Sequence, residues 1–185
     1  MSSALAGGVD RISPARACGL LDGIGLPTLG WRTYVDNECG CSSRPVSIGP
    51  GTTLRNQMSY YVDGHVDGTR HTVSQLRLIV SILNPEAAEM AHDVFWGAAR
   101  ILIQEVTSRP PPSSVFRAIS NGTNLVLKTG DVLIEVARKE WTMNTDSGHH
   151  KCYDIRIVDL LKSKLTASQK VKFFVALHPS FFMVR

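Results

Sequence analysis

The chain has 185 residues, 43% of them hydrophobic and 19% charged, a composition that suits one folded domain of about 100–150 residues with a short accessory segment at each end. No apolar run approaches the roughly 18–20 residues that would span a bilayer. The net charge of +4 is concentrated: residues 160–185 carry Lys162, Lys164, Lys170, Lys172 and Arg185 with no acidic residue, so the body is near neutral and lacks the basic stripe expected of a nucleic-acid binder.

Met1–Ala17 holds only Arg11 and Arg16 as positive charges and no apolar core segment, so it does not read as a secretory signal. The expectation is a protein kept inside the cell, or one whose leader precedes this stretch. Ser13-Pro14 predicts a short helix, with serine as N-cap and proline at the first helical position. Gly23 and Gly25 stop it. Leu26–Gly51 is punctuated by Pro27, Gly30, Gly40, Pro45, Gly49 and Pro50 and reads as loop, with a short strand near Trp31–Val35.

Met58, Tyr60 and Val62 alternate with Ser59, Tyr61 and Asp63, the period-2 signature of a strand with one buried face. A turn over Asp63–Gly68 follows. Leu76, Leu78, Val80 and Ile82 then mark a second strand, paired to the first as a long hairpin. Asn84-Pro85-Glu86 opens the main helix, predicted over Pro85–Thr107, with an apolar stripe through Ala87, Ala91, Val94, Ala98, Ile101 and Leu102. Pro110-Pro111-Pro112 ends it. Ser113 or Ser114 caps a short turn closed by Asn121-Gly122. A second hairpin runs Leu125–Leu127 and Val132–Val136 around Thr129-Gly130-Asp131. Asn144–Lys151 reads as a polar loop and Tyr153–Val158 as the last strand. Thr166-Ala167-Ser168-Gln169 matches a capping box ahead of Val171, Phe174 and Val175. The predicted fold is α+β: an antiparallel sheet of about four to five strands in ββαββ order, packed by one long helix, with a short N-terminal helix. The predicted division is an N-terminal tail over 1–12, one domain over 13–159, and a basic amphipathic segment over 160–185.

The four cysteines, Cys18, Cys39, Cys41 and Cys152, permit two disulfides in three connectivities, or free thiols in a reducing cytosol. His149, His150 and Cys152, with His65 or His71, are the residues a metal would draw on. No C-x₂₋₄-C pair accompanies the H-x₅-H spacing of His65 and His71, so no metal is expected. Glycine motifs fail too: Gly23-Ile24-Gly25 follows no strand, and no cofactor is expected. No G-x-S-x-G elbow occurs. Cys152 beside His149 and His150 is the single candidate for a thiol nucleophile. Asp63, Asp67 and Asp131 read as turn formers. Tyr61 and Trp96 are candidate contact residues, against core or rim packing.

Several stretches resemble a family of small bacterial domains of uncharacterised function taken to be exported. They are Cys18-Gly19-Leu20-Leu21, Gly25-Leu26-Pro27-Thr28 with Trp31, and Glu38-Cys39-Gly40-Cys41-Ser42-Ser43. Met58–Gly64, Leu76–Pro85, Gly130–Trp141 and Tyr153-Asp154-Ile155 continue the likeness, which covers residues 15–158. The resemblance implies export and a bridge from Cys18 to Cys39 or Cys41, and it carries over no functional residue. The extra cysteine in Cys39-Gly40-Cys41 and the basic tail depart from the family pattern.

Three functional expectations follow. The first is a non-enzymatic, exported binding domain, contacting a protein partner through an edge strand, through Tyr61 or Trp96, or through the tail with Lys162, Lys164, Lys170, Lys172 and Phe174. The second is a hydrolase using Cys152 with His149 or His150. The third is a membrane or nucleic-acid contact through residues 160–185.

Overall fold

The computed structural model describes residues 8–34, 36–50, 55–142 and 149–159, with side chains for all of these except 140–142, 149–151 and 159. Among the described residues eight strands form one antiparallel sheet: β1 Arg32–Thr33, β2 Glu38–Ser42, β3 Val46–Ile48, β4 Asn56–Asp67, β5 Arg70–Ile82, β6 Leu125–Thr129, β7 Val132–Thr142 and β8 His149–Asp159. Their spatial order is β1-β2-β4-β5-β8-β7-β6, with β3 alongside β4. Three α-helices are α1 Pro14–Gly19, α2 Ala88–Thr107 and α3 Ser113–Asn121. This corrects the predicted sheet of four to five strands packed by one long helix.

The missing strands have a physical cause. Strands β2 and β3 are short and set among Gly40, Pro45, Gly49 and Pro50, which in sequence look like loop, whereas β1 falls within the short strand expected near Trp31–Val35. Gly40 sits inside β2 because β2 crosses β4 closely: a Cβ there would run into the Val62 carbonyl. The hairpin also extends past the expected turn. Asp63-Gly64 forms a β-bulge where the register shifts, and Gly64 again leaves no room for a Cβ, facing the Thr72 carbonyl and the Trp31 ring. The true turn falls at Gly68, whose φ of +60° suits glycine. Similarly, His149–Lys151, read as loop, belongs to β8.

The core lies on one face. Inward residues Met58, Tyr60, Val62, Leu76, Leu78, Val80, Ile134, Ile155 and Ile157 pack against Ala91, Phe95, Ala98, Ala99 and Leu102 of α2 in one apolar cluster. The alanines let α2 lie close to the sheet, and each large buried side chain contributes about 1.5–3 kcal/mol. The cluster extends upstream to Val9 and Ile12. Tyr60 fastens α1 to the sheet: its hydroxyl donates to the Ala17 carbonyl at 2.8 Å, beside the Cys18–Cys41 disulfide. Burial pushes its phenol well above the ordinary tyrosine range, with Asp22 adding to the effect.

Asn56 joins β4 to the start of α2. It is fully buried. Its Nδ2 donates to the carbonyls of Asn84 at 3.1 Å and Ala87 at 3.0 Å. Its Oδ1 accepts from the backbone N–H of Leu83 at 2.8 Å and of Asn84 at 2.7 Å. The Asn84 side chain is then free to cap the helix entry, accepting from Glu86 N–H at 3.1 Å. Asn56→Ala strands these backbone groups and is expected to cost about 3 kcal/mol. Asn56→Asp turns an acceptor toward the carbonyls of Asn84 and Ala87 and buries a charge, so it should cost at least as much as alanine. Urea titration checks the order, and a loss below about 1 kcal/mol for the alanine variant would refute the clamp.

Candidate functional site

Because the helices pack with the inward side chains into one cluster, the other face of the sheet carries no helix among the described residues. Strand alternation places one row of side chains across it. Tyr61 of β4 stands opposite Arg77 of β5, Arg77 opposite Arg156 of β8, and Arg156 opposite Glu135 of β7. The neighbouring row holds Ser59, Ile79, Asp154 and Ala137.

Asp154 is the centre of this face, at 1% exposure. Arg77 grips it with Nε at 3.0 and 3.1 Å and Nη2 at 2.8 Å. Arg156 adds Nε at 3.3 Å and Nη2 at 3.1 Å to the same carboxylate. Two guanidinium groups therefore share one buried anion. Burial alone would lower the Arg77 basicity, and the hydrogen bonds and charge of Asp154 reverse this, leaving it raised. At the margin, exposed Asp63 accepts from Gln75 Nε2 at 3.0 Å. The arrangement offers fixed cationic donors beside an aromatic ring. It suits recognition of an anionic or polar surface, since guanidinium forks bind carboxylates directionally.

The structure separates the other residues singled out by sequence. Tyr61 is on the uncovered face. Trp96 lies beyond the helix-covered face, on α2, half-buried against Phe116 of α3 with ring centroids 5.3 Å apart. The two do not share a site. Lys162, Lys164, Lys170, Lys172 and Phe174 lie outside the described residues. His149 and His150 enter β8 opposite Thr142 and Trp141, and their side chains lie outside the described set. Among the described residues no group of three or more His, Cys, Asp or Glu is placed to hold a metal.

Of the four cysteines, Cys18 and Cys41 are bonded to each other, and Cys39 and Cys152 are free and buried. Cys152 faces outward from β8, opposite Ser81 and Lys139. Burial raises its thiol to about 11, and the nearby Asp154 carboxylate adds to this. A thiol in that state is protonated at neutral pH and is a poor nucleophile. Cys39 lies 3.4 Å from Thr33 Oγ1 and 4.0 Å from His71 Nδ1. His71 Nδ1 accepts the Trp31 indole N–H at 3.1 Å. Indole only donates, so this nitrogen carries no proton and the ring proton sits on Nε2. Sequence reasoning missed both groupings. The i, i+2 spacing of Asp154 and Arg156 on a strand was the one local sign that they share a face.

No family model, curated protein or solved structure matches this chain.

Two checks address the cysteine assignment. Intact mass after alkylation without reductant should show almost no label on native protein, two labels after unfolding, and four after unfolding with reductant. Alkaline titration should follow the burial. The unfolded chain ionises Cys152 first, so folded-state stability falls as pH climbs from about 9 toward about 11, by up to about 1.4 kcal/mol per pH unit. Tyr60 acts in the same direction above about pH 10. Cys152→Ala should remove only the lower limb of that loss, and an unchanged profile would contradict the thiol assignment.

Proposed function

We propose that this chain is a non-enzymatic interaction module that works in an oxidising compartment outside the cytoplasm and binds an acidic or amphipathic protein surface through the uncovered face of β4, β5 and β8. The observation that carries the reading is the Tyr61–Arg77–Arg156 row over a buried Asp154. Tyrosine and arginine are over-represented where proteins bind one another, and here both arginines are already oriented, which lowers the ordering cost of binding. The Cys18–Cys41 bond supports the compartment, because such bonds persist where thiols are not kept reduced. No helix among the described residues is long and apolar enough to cross a membrane. The likeness to exported bacterial domains points the same way. The thiol-hydrolase reading meets a raised Cys152 thiol and gains no support from it. The tail-contact reading rests on sequence alone.

A photo-reactive residue at position 61 should cross-link a partner from the extracytoplasmic fraction, and one at position 96 should not. Tyr61→Glu should weaken that binding by about tenfold or more, within the range for an interface anchor of about 1.4 kcal/mol or above, and leave thermal stability within a few degrees of wild type. Equal cross-linking at both positions, or binding indifferent to Tyr61→Glu, would remove the proposal.

A further inference from the structure

We infer that β6 is a self-pairing edge: two copies of the chain join their sheets by antiparallel pairing of β6 with β6, centred on Leu127. This surface is separate from the partner face proposed above. Strand β6 ends the sheet and pairs only with β7 among the described residues. A terminal strand presents unpaired N–H and C=O groups, and natural edges are blunted by shortness, proline, bulges or charge. The opposite edge is blunted in this way. Strand β1 has two residues, set between Gly30 and the positive-φ turn at Asp36 and Asn37. Strand β3 has three, flanked by Pro45 and Pro50. By contrast β6 has five residues, no proline and an unshifted register with β7. Its one charge is Lys128. Val126 is 67% exposed, the highest value for a large apolar side chain among the described residues.

The occupant follows from the strand's own pattern. With a two-fold axis at Leu127, Leu127 meets its counterpart, Leu125 meets Thr129 of the second copy, and Val126 meets Lys128 of the second copy. An axis through a residue pair works whichever alternate residues turn their backbone outward, and it forms about four to six hydrogen bonds. Both halves contribute the same patch, which closes the assembly at two. The charges also fit. Glu135 stands beside Val126 on β7, so the Lys128 stem of the second copy lies along Val126 with its ammonium extended toward that carboxylate. On the covered side, half-buried Leu125 and Leu127, already packed against the core, carry the apolar layer across the junction. Moving the axis to Lys128 would set two lysines face to face, a destabilising pair.

Sedimentation of the full chain from low to high micromolar concentration tests this, with amide hydrogen exchange followed at residues 125–129. The mass should rise toward twice that of one chain, and these amides should exchange more slowly as concentration rises. Val126→Lys places lysine against Lys128 twice per dimer and should raise the dissociation constant by about tenfold, without shifting the thermal midpoint of the dilute protein. Adding Lys128→Glu to Val126→Lys should restore association, which a misfolded variant could not do. A chain that stays monomeric throughout, or a dimer indifferent to Val126→Lys, overturns the inference. So does protection of the β6 amides independent of concentration, which would put another segment of the same chain on this edge. Any of these failures leaves the Tyr61 face unaffected, because Glu135 at the far end of that row takes part in the pairing and Tyr61, Arg77 and Arg156 do not.

Discussion

The close approach of α2 to β4 and β5 is the contact on which the other features depend. It is made possible by alanine at 91, 98 and 99, which bring the helix down, and by Phe95 and Leu102, which fill the space between. A single helix layer supplies one hydrophobic face, and a sheet of eight strands has two. The strands therefore alternate, apart from the bulge at Asp63-Gly64, and the charged row described above sits on the side that carries no helix among the described residues. The Asn56 clamp serves the same end, because it sets where α2 leaves the hairpin and so where its apolar stripe lands.

That uncovered side explains an otherwise costly feature. A carboxylate at 1% exposure would be expelled or protonated if it stood alone. Asp154 tolerates burial because Arg77 and Arg156 bond its carboxylate, and no helix among the described residues covers it. Such an ion group adds little net stability over an apolar alternative, yet losing one member leaves a buried charge uncompensated. Its value lies in orientation. Arg77 and Arg156 are held by the Asp154 carboxylate, and Arg77 stands opposite Tyr61. A surface with that property resembles a pre-ordered contact more than a structural repair.

Much of this was legible from the chain and some was not, for reasons that differ by element. Strands β4 and β5, helix α2 and the β6–β7 hairpin announce themselves because their buried faces repeat at the period of the backbone. Asn84-Pro85 opens α2 as its chemistry requires. Strand β2 is invisible because Gly40, a loop signal in sequence, is demanded by the crossing with β4. Asp63-Gly64 reads as a turn because a bulge uses the same residues. The Asp154 group joins side chains 77 positions apart, and no local pattern reports pairing of that kind. The even cysteine count left several pairings open, and only the juxtaposition of α1 with β2 selects Cys18 with Cys41.

The two remaining thiols bear on compartment and chemistry together. In an oxidising setting a free cysteine survives when other thiols and oxidants cannot reach it. Cys39 is 2% exposed, beneath Thr33 and the Trp31–His71 pair, and Cys152 is 8% exposed with its ionisation suppressed. Both conditions that make a thiol durable also make it unreactive, since exchange and attack proceed through an accessible thiolate. The same burial that reconciles two unpaired cysteines with a disulfide-bearing protein thus argues against Cys152 as a nucleophile. Recognition through the arginine and tyrosine row is the activity we propose instead.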